Sequence, residues 1–457
     1  MTAGPAARLL PETPQLTLDQ HLDLHGPPPF ADTGYGTGGG QPGDSRLIAA
    51  VELAGLTGRG GAGFPAGRKM RAVAEAGRRA GPFHSPVGTT VIANGAESEP
   101  TSVKDKLLLS QAPHLVLDGV ALAAEAVGAT RAFLCVHDDP APLHEAIVSR
   151  ERAGLNRLPI QVVTVPAGYV SGQETALISL LNGAGPRPTF VPPRPAERGV
   201  RRHPTLVQNV ETLANIALIA RHGPDWFRAV GPATAPGTAL ITVTGTIARP
   251  GVYEIDLGTT IGALLNRAGG YTEPPQAVLA GGYFGGWLTL PAAADVALTD
   301  QALRAAGAAF GPGVLIALPA SACPLAETAR VSSYLASQSA GQCGPCLNGL
   351  PALAEVLSLL AFGWAGPDGL DWTRQLLGLV SGRGACHLPD GTAGLADSAL
   401  TTFADEVRRH VLHGPCDRVR RAPVVAVPDP PREGAGVVGA AGAAASGAGG
   451  LGPGAPA

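Results

Sequence analysis

Short apolar segments alternate with helical segments between residues 91 and 165, and this alternation constrains the fold more than any other feature of the sequence. The segments 91–94 (VIAN), 131–136 (RAFLCV) and 160–165 (IQVVTV) are typical of buried strands, whereas 114–127 and 142–153 are typical of helices. Strand–helix–strand spacing favours βαβ units and a parallel sheet. The sequence therefore predicts an α/β fold for this region.

The pattern of predicted elements changes after about residue 235. Residues 239–245 and 252–256 predict a hairpin around a Pro-Gly turn, and 260–268 predicts a helix, which together make a small α+β module. Helices are then predicted over 325–337, 350–362, 372–380 and 400–411. The predicted organisation is a low-complexity segment with one short helix near 16–24 (1–45), an α/β domain (46–234), the α+β module (235–319), a helical bundle (320–415) and a disordered Gly/Ala-rich tail (416–457).

Charge and hydropathy exclude several functional classes. The net charge is −3 without a long basic block, which argues against nucleic-acid binding. A membrane span needs about 18 consecutive apolar residues, and the sequence has no such run. No signal peptide is recognised at the N-terminus. Six cysteines are too few for a disulfide scaffold in 457 residues, so the sequence predicts a cytoplasmic protein.

A glycine-rich stretch at 58–69 (GRGGAGFPAGRK) is a candidate phosphate-binding loop, because glycine lets backbone amides approach an anion closely. The alternative is a flexible turn in a chain that contains 63 Gly and 43 Pro. Only three of the 33 basic residues are Lys, namely Lys69, Lys104 and Lys106, and all three lie in or beside this stretch and the next motif. Lys in an Arg-biased chain hints at a site that needs a compact ammonium group.

Three further polar stretches follow or precede predicted strands and helices: 94–105 (NGAESEPTSVKD), 167–177 (AGYVSGQETAL) and 204–215 (PTLVQNVETLAN). The first two follow strands, and ligands in open α/β sheets bind at the carboxyl ends of strands. Each stretch also has an ordinary structural interpretation. The acids of the first can form a solvated face, Glu174 can be a first-turn acid, and Asn209 can be an N-cap.

The cysteines offer a third kind of candidate site. Cys343 and Cys346 form a CxxC motif, and Cys386 follows some 40 positions later, beside His387. Iron–sulfur clusters and structural zinc both normally take four ligands, so metal binding and a loose CxxC beside a free cysteine both stay open. Cys135 is predicted to lie in the core. Cys323 and Cys416 have no predicted partner.

Taken in order, these motifs resemble the NADH-oxidising flavoprotein subunit of respiratory complex I, a module shared with NAD-linked hydrogenases and formate dehydrogenases. The motifs are GRGGAGFPAGRK, NGAESEP, AGYVSGQETAL, HPTLVQNVETLAN, GQCGPCLNG and ACHLPDG, and they cover roughly residues 45–412. The resemblance implies a Rossmann-like FMN domain, a β-grasp (SLBB) module and a helical bundle with a [4Fe–4S] cluster.

The same resemblance implies an NADH dehydrogenase that passes a hydride from NADH to FMN and then single electrons to the cluster or a partner subunit. The implied partner is a thioredoxin-like iron–sulfur subunit or a ferredoxin, and the implied location is the cytoplasm, at the periphery of a membrane complex. The implied site residues are Gly58, Arg59, Gly60, Gly61 and Lys69 for the FMN phosphate and ribityl; Asn94, Glu97, Gly172, Glu174, Gln208 and Asn209 for the isoalloxazine; Phe64, Glu99 and Tyr169 for the nicotinamide; and Cys343, Cys346 and Cys386 for the metal. Glu97, Glu99 and Glu174 are the implied catalytic carboxylates.

The sequence departs from the family at several positions. Ala340 stands where the family has its first cluster cysteine, so a fourth ligand would have to be Ser339, His387, Cys323 or water. The pocket also differs, with Ala96, Gln173, Gln208 and Arg194 in place of an acid, a Glu, an Asn and an aromatic residue. These changes leave two alternatives open: a catalytically degenerate subunit of the same fold, and a flavoprotein that uses another electron donor.

Overall fold

The computed structural model describes residues 8–11, 15–30, 46–79, 88–363, 365–366 and 368–428. The helices are α1 (Leu18–His25), α2 (Arg46–Ala54), α3 (Ala66–Arg79), α4 (Lys104–Gln111), α5 (Pro113–Val127), α6 (Ala141–Arg152), α7 (Glu174–Leu181), α8 (Val210–Arg228), α9 (Ile261–Arg267), α10 (Asp300–Ala305), α11 (Pro324–Ser337), α12 (Leu350–Ala361), α13 (Gly369–Val380), α14 (Leu388–Thr402) and α15 (Ala404–His413). The strands are β1 (Thr89–Gly95), β2 (Ala129–Val136), β3 (Ile160–Thr164), β4 (Thr205–Asn209), β5 (Thr238–Gly245), β6 (Gly251–Asp256), β7 (Pro275–Ala280), β8 (Gly286–Thr289) and β9 (Val314–Pro319).

The first sheet is parallel and has the order β3-β2-β1-β4. Three of its strands are the predicted ones, and the α/β fold class is confirmed. β4 was not predicted, because only two apolar residues, Leu206 and Val207, precede its polar end. Helix α5 is buried over nearly its whole length and packs on α8. A methyl group on Gly119 would lie 2.0 Å from the Leu213 carbonyl oxygen, so the two helix backbones almost touch there.

Two described pieces of the N-terminal segment pack on this layer. His21 of α1 lies 2.8 Å from the buried Asp118 carboxylate of α5. Leu9 is buried, and its backbone amide donates to the Glu254 carboxylate of β6 at 2.9 Å. The sequence predicted only a short helix within a low-complexity segment, because its anchoring contacts are made with residues about 100 and 245 positions away.

The second sheet has the order β6-β5-β9-β7-β8 and is mixed. β5 and β6 form the predicted antiparallel hairpin, whereas β5 and β9 are parallel. Thr260 caps α9 through its hydroxyl, which accepts from the Ala263 amide. All five strands fall within the range 235–319 that the sequence assigned to the α+β module.

Helices α11 to α15 form the last part of the fold. The predicted helix at 400–411 is instead the end of α14 and most of α15, and Cys386 lies between α13 and α14. The first two turns of α14 contain glycines at 391 and 394, which have low helix propensity and weaken the helical signal in the sequence.

The predicted start of the disordered tail at residue 416 differs from the structure. Residues 416–428 are described, and Val425 within them is buried at 1% exposure. The backbone amides of Val424 and Val425 donate to the Glu327 carboxylate of α11. The Gly/Ala-rich residues 429–457 lie outside the described residues.

Within the described chain, no single helix has the length and apolar character needed to cross a membrane. The bent pair α4 and α5 meets the test of length and composition only when its two helices are taken together.

Candidate functional site

The carboxyl ends of the neighbouring strands β1 and β4 bring two predicted site residues side by side. Asn94 of β1 and Asn209 of β4 are direct neighbours in register. Asn209 caps α8, because its Oδ1 accepts from the Glu211 amide at 2.9 Å. Its Nδ2 donates to the Asp105 carboxylate at 2.6 Å and to the Asn94 carbonyl at 3.4 Å. The N-cap interpretation therefore holds for Asn209, and the same side chain also ties two loops together at the carboxyl edge of the sheet.

Gly172 lies against the loop that leaves β1. Its carbonyl accepts from Asn94 Nδ2 at 2.8 Å, and its amide donates to Ser98 Oγ at 3.1 Å. A Cβ at this position would lie 2.4 Å from the Ala96 carbonyl oxygen and 2.5 Å from Ser98 Oγ. Only glycine allows this approach, and it holds the loops after β1 and β3 together.

Glu97 fixes the start of α4. Its carboxylate accepts from the Ser102 hydroxyl at 2.5 Å and from the amides of Asp105 and Lys106 at 3.2 and 3.3 Å. Burial, and then the nearby Asp105 carboxylate, raise the pKa of Glu97 to about 6. The group can therefore take up or release a proton close to neutral pH.

A buried ionic cluster lies beneath the strand ends. Lys104 Nζ contacts Asp105 Oδ1 at 2.7 Å and Glu211 Oε2 at 2.8 Å, and all three side chains are at most 7% exposed. Burial lowers the pKa of Lys104, but Asp105 and Glu211 outweigh it and the net shift is upward. The sequence pointed to Lys104 through the rarity of Lys but did not predict its two partners.

The glycine-rich stretch forms a closed loop directly before α3. The Gly58 amide donates to the Phe64 carbonyl at 2.9 Å, and Thr57 and Pro65 form an isolated bridge. Gly60 packs on Asn209, since a Cβ there would lie 3.2 Å from the Asn209 Cβ. The loop and the strand ends therefore form one surface.

The residues of the glycine-rich loop differ in their solvent exposure. Gly60 is exposed, Gly61 has a φ of +111°, and Phe64 is 46% exposed. Arg59, in contrast, is buried, and its guanidinium donates to Thr57 Oγ1 and to the Thr238 carbonyl. The predicted contact of Arg59 with a cofactor phosphate is not available to its guanidinium in this arrangement, because the side chain turns into the interior between α8 and β5.

Lys69 and Glu174 connect the glycine-rich loop with the loop around Gly172. Lys69 lies in the first turn of α3 and Glu174 is the first residue of α7, and their charged atoms are 2.7 Å apart. Both side chains are partly exposed. Gln173 caps α7 by accepting from the Thr175 and Ala176 amides. The pair places one cation and one carboxylate beside the loop.

Glu99 lies at the centre of an aromatic cluster that the sequence did not predict. Its carboxylate accepts from the Tyr169 hydroxyl and from the Tyr283 amide, both at 2.9 Å. Tyr169 stacks on Tyr283 with ring centroids 6.1 Å apart and also meets Phe284 and Tyr334 edge-on. Burial and the adjacent Glu99 raise the pKa of Tyr169 well above its usual value.

The sequence does contain a signal for this cluster, the stretch GGYFGG at 281–286. Two adjacent aromatic residues between glycines are unusual in a chain with only 4% aromatic residues. Tyr283 follows β7 in the second sheet and Tyr334 lies on α11, so the cluster joins three parts of the fold.

Cys343 and Cys346 lie before the start of α12, and Cys386 lies between α13 and α14. Cys346 is part of a π-helical turn at Pro345–Gly349, a feature that is frequent at functional sites. Its thiol is hydrogen-bonded to Cys343 and to the Ser339 hydroxyl, and burial raises its pKa to about 12. Cys343 and Cys386 thus lie near enough to Cys346 for their charges to act on its thiol, and metal binding by the three stays a prediction.

Three family models match consecutive parts of the chain. They are the Nuo51 FMN-binding domain at residues 51–218, the SLBB domain at 240–286 and the NADH-ubiquinone oxidoreductase-F iron–sulfur binding region at 326–410. The NADH-quinone oxidoreductase F subunit of Streptomyces coelicolor is 33% identical over 387 residues, which cover 81% of this chain and 84% of the relative. The chain belongs to the family of NADH-quinone oxidoreductase F subunits.

Other relatives agree with this assignment. The corresponding F subunit of Escherichia coli is 30% identical over 79% of this chain and 83% of its own length. The solved structure of an NAD⁺-reducing [NiFe]-hydrogenase in the H₂-reduced state superposes with a TM-score of 0.76 at 28% identity, over 88% of this chain and 68% of that chain. The family, the enzyme class and the cofactor classes predicted from the sequence, FMN and an iron–sulfur group, are confirmed.

The residues at the strand ends of this family member suit an FMN. Gln208 is 4% exposed, and its Nε2 has no hydrogen-bond partner within the described part of the chain, so it is a donor available to a ligand. The space around Gly63 is open, because a Cβ placed there would have no atom within 4 Å. Backbone amides of a glycine loop before a helix are suited to a phosphate.

The donor set for an iron–sulfur group is incomplete in this member of the family. A [4Fe–4S] cluster normally takes four thiolates, and the CxxC region supplies three. His387 cannot easily supply the fourth ligand, because its side chain is 88% exposed and lies beside Asp390. Cys323 lies against His410 instead. Ser339 is the candidate that already touches a cluster cysteine.

Proposed function

We propose that this chain oxidises NADH and passes the electrons through FMN to an iron–sulfur group and then to a redox partner subunit. The observation that carries this proposal is the convergence of three separate motifs, around Gly60, Gly172 and Asn209, at one edge of the parallel sheet inside the region matched by the FMN-binding model. FMN, when bound, accepts a hydride and releases single electrons, and the protein supplies placement and electrostatics.

The proposed roles follow from the contacts of each group. Amides of the loop at Gly60 and Gly61 would hold the flavin phosphate, and Lys69, which pairs with Glu174 beside this loop, would add positive charge. Asn94 and Asn209 hold the loops around the flavin ring. Gln208 Nε2 is a free donor at the same edge.

The carboxylates take different roles in this proposal. Glu97, with a pKa of about 6, holds or releases a proton near neutral pH beside the strand ends. Glu99 is held by Tyr169 and Tyr283, which orient it and exclude water around it. Phe64, which is exposed, and Tyr169 offer ring surfaces for the nicotinamide nucleotide.

The proposed electron acceptor is a second subunit. The relatives named above are subunits of NADH-quinone oxidoreductases or of a hydrogenase, so a redox partner is consistent with the family. We propose a thioredoxin-like iron–sulfur protein or a ferredoxin in this role.

The six cysteines are all free, which suits the proposed cytoplasmic location.

Protein purified without oxygen tests the function directly. We expect a flavin spectrum that bleaches on addition of NADH, and extraction should release FMN. A chain that carries no FMN and leaves added FMN oxidised in the presence of NADH would instead support the catalytically degenerate alternative. Bleaching by reduced ferredoxin but not by NADH would indicate another donor.

The iron content tests the three-cysteine site. An intact cluster contains about four iron atoms, and we expect the natural chain to hold fewer because Ala340 cannot ligate iron. Ala340→Cys should raise the iron content towards that value, and Ser339→Ala should lower it further. Iron is measured in anaerobically purified protein, with the electron paramagnetic resonance spectrum of the reduced form as a second signal.

Ala340→Val is the matched control, since it changes the same position without adding a ligand atom. Equal iron in Ala340→Cys and Ala340→Val would show that the loop has diverged at more than one position. Four iron atoms in the natural chain, retained in Ser339→Ala, would assign the fourth ligand to a group other than this serine.

A further inference from the structure

Four metal-binding side chains meet at a second place in the helical part of the fold, outside the flavin site and outside the CxxC motif. Cys323, Glu406, His410 and Cys416 each offer one ligand atom, and these atoms all lie within 4.8 Å of one another. The first three residues are buried and Cys416 is partly buried. The sequence analysis had left both cysteines without a partner.

Three different elements supply these side chains. Cys323 directly precedes α11, and Cys416 lies in the loop after α15. Glu406 and His410 are four residues apart on α15, so they project from the same face of that helix. The four residues are thus held by packing between α11, α15 and the C-terminal segment, and the site does not depend on one flexible loop.

The distances match the size of a tetrahedral zinc site. Zinc lies about 2.0–2.3 Å from its nitrogen, oxygen and sulfur ligands, so neighbouring ligand atoms in a tetrahedron are about 3.3–3.8 Å apart. Cys323 Sγ lies 3.9 Å from His410 Nε2, and His410 Nε2 lies 3.1 Å from Glu406 Oε1. The remaining pairs of ligand atoms lie within 4.8 Å, so shifts of up to about 1 Å would bring all four atoms to a common ion.

The histidine is oriented as a metal ligand. His410 Nδ1 lies 2.7 Å from the Ala361 carbonyl oxygen, and because a carbonyl can only accept, Nδ1 must carry the hydrogen. In the neutral ring, Nε2 then presents its lone pair to Cys323, Glu406 and the Cys416 amide, which donates to it at 3.3 Å. Anchoring of the second ring nitrogen by a backbone carbonyl is typical of zinc-binding histidines.

The local charges also leave room for a cation. If His410 is neutral with its hydrogen on Nδ1, Nε2 and Glu406 Oε1 are both acceptors and repel each other at 3.1 Å. A cation bound to both atoms would remove this repulsion. Arg418 and Arg409 both contact Glu406 and together exceed its single negative charge, so the charge that would attract a metal ion is that of thiolates at Cys323 and Cys416.

We propose that Cys323, Cys416, His410 and Glu406 bind one Zn²⁺ ion as a structural site, separate from the iron–sulfur cysteines. Two sulfurs and one imidazole favour zinc over hard cations such as Mg²⁺ or Ca²⁺. The ion fastens the start of the C-terminal segment to α11 and α15. That segment then continues over the aromatic cluster, where the Tyr283 hydroxyl donates to the Ala426 carbonyl.

The experiment uses the full chain, reduced and stripped of metal with a chelator, and titrates it with Co²⁺ as a spectroscopic substitute for zinc. We expect about one tetrahedral Co²⁺ per chain with a sulfur-to-cobalt charge-transfer band, displaced by Zn²⁺. The spectrum should persist in Cys343→Ser/Cys346→Ser, which removes the CxxC motif. It should also persist in Cys135→Ala, which removes a buried strand cysteine.

Cys323→Ser/Cys416→Ser should lose the charge-transfer band. Because it removes two ligands, it should weaken Co²⁺ binding by more than about 100-fold, the upper end of the loss seen when a residue that supports a metal ligand is replaced. Circular dichroism of each variant shows whether it is folded. If a variant does not fold, the titration of the natural chain still tests whether the site binds Co²⁺. A Cys323–Cys416 disulfide combined with no Co²⁺ uptake after reduction would overturn the proposal. Loss of the band in the CxxC variant alone would overturn it equally.

Discussion

Replacing Lys104 with alanine is expected to lower the free energy of unfolding by about 3–5 kcal/mol, the usual cost of removing one partner from a buried ion pair. Lys104 is 1% exposed and contacts Asp105 and Glu211 at 2.7 and 2.8 Å. The substitution leaves two carboxylates, each at most 7% exposed, without their shared cation. Arg59, the other cation near Glu211, is 3.8 Å away and is already engaged with Thr57 and Thr238.

Lys106 offers a matched control on the same helix. Its ammonium lies 3.2 Å from Asp138, but both side chains are about half exposed. Solvent screens such a pair, so Lys106→Ala should cost at most about 1 kcal/mol. Urea unfolding of the natural chain and the two variants measures the difference. Similar losses in the two variants would contradict the assignment of the buried cluster as a main support of the strand ends.

Gly172→Ala is expected to lower the FMN content of the purified protein at least about tenfold, which corresponds to about 1.4 kcal/mol of binding free energy. The added methyl would lie 2.4 Å from the Ala96 carbonyl oxygen, closer than any normal contact. The loop of residues 96–99 must therefore move, and it carries Glu97 and Glu99. Gly172 does not have a positive φ, so the effect comes from the steric clash.

Gly378→Ala is the control for this substitution. Gly378 is exposed on α13, and a methyl group added there would have no atom within 4 Å, so alanine should be neutral or stabilise the helix by up to about 1 kcal/mol. FMN per chain, NADH-dependent bleaching and the unfolding midpoint are measured for both variants. If Gly172→Ala is folded and retains full FMN, the loop after β1 does not form the flavin site, and the proposed roles of Glu97 and Asn94 fail with it.

Much of the fold could be predicted because periodicity and turn chemistry are local properties. The strand–helix alternation gave the parallel sheet, and the Pro-Gly turn gave the β5–β6 hairpin. Asn94 and Asn209 could be expected at one edge because parallel strands end on the same side. β4 and α14 were missed, since short polar strands and glycine-containing helices have weak local signals.

The contacts of the candidate site were harder to predict. Glu99 was singled out, but its hydrogen bond from the Tyr283 amide joins residues 184 positions apart. Arg59 looked like a phosphate ligand by its place in the glycine-rich loop, and its inward orientation depends on the Thr238 carbonyl of β5 and the Glu211 carboxylate of α8. Periodicity carries no information about such long-range pairs.

The cysteines show the division between sequence and tertiary structure most directly. The sequence by itself determined the family and the order of the three parts, and it placed Ala340 where the resemblance implies a cluster cysteine, because these depend on residue identity at known spacing. Only the tertiary structure decided that Cys323 meets His410 and Cys416, residues 87 and 93 positions away, and that Lys104 is buried between two acids. Those contacts exist only after the helices pack, when burial and distance set the charge state of each side chain.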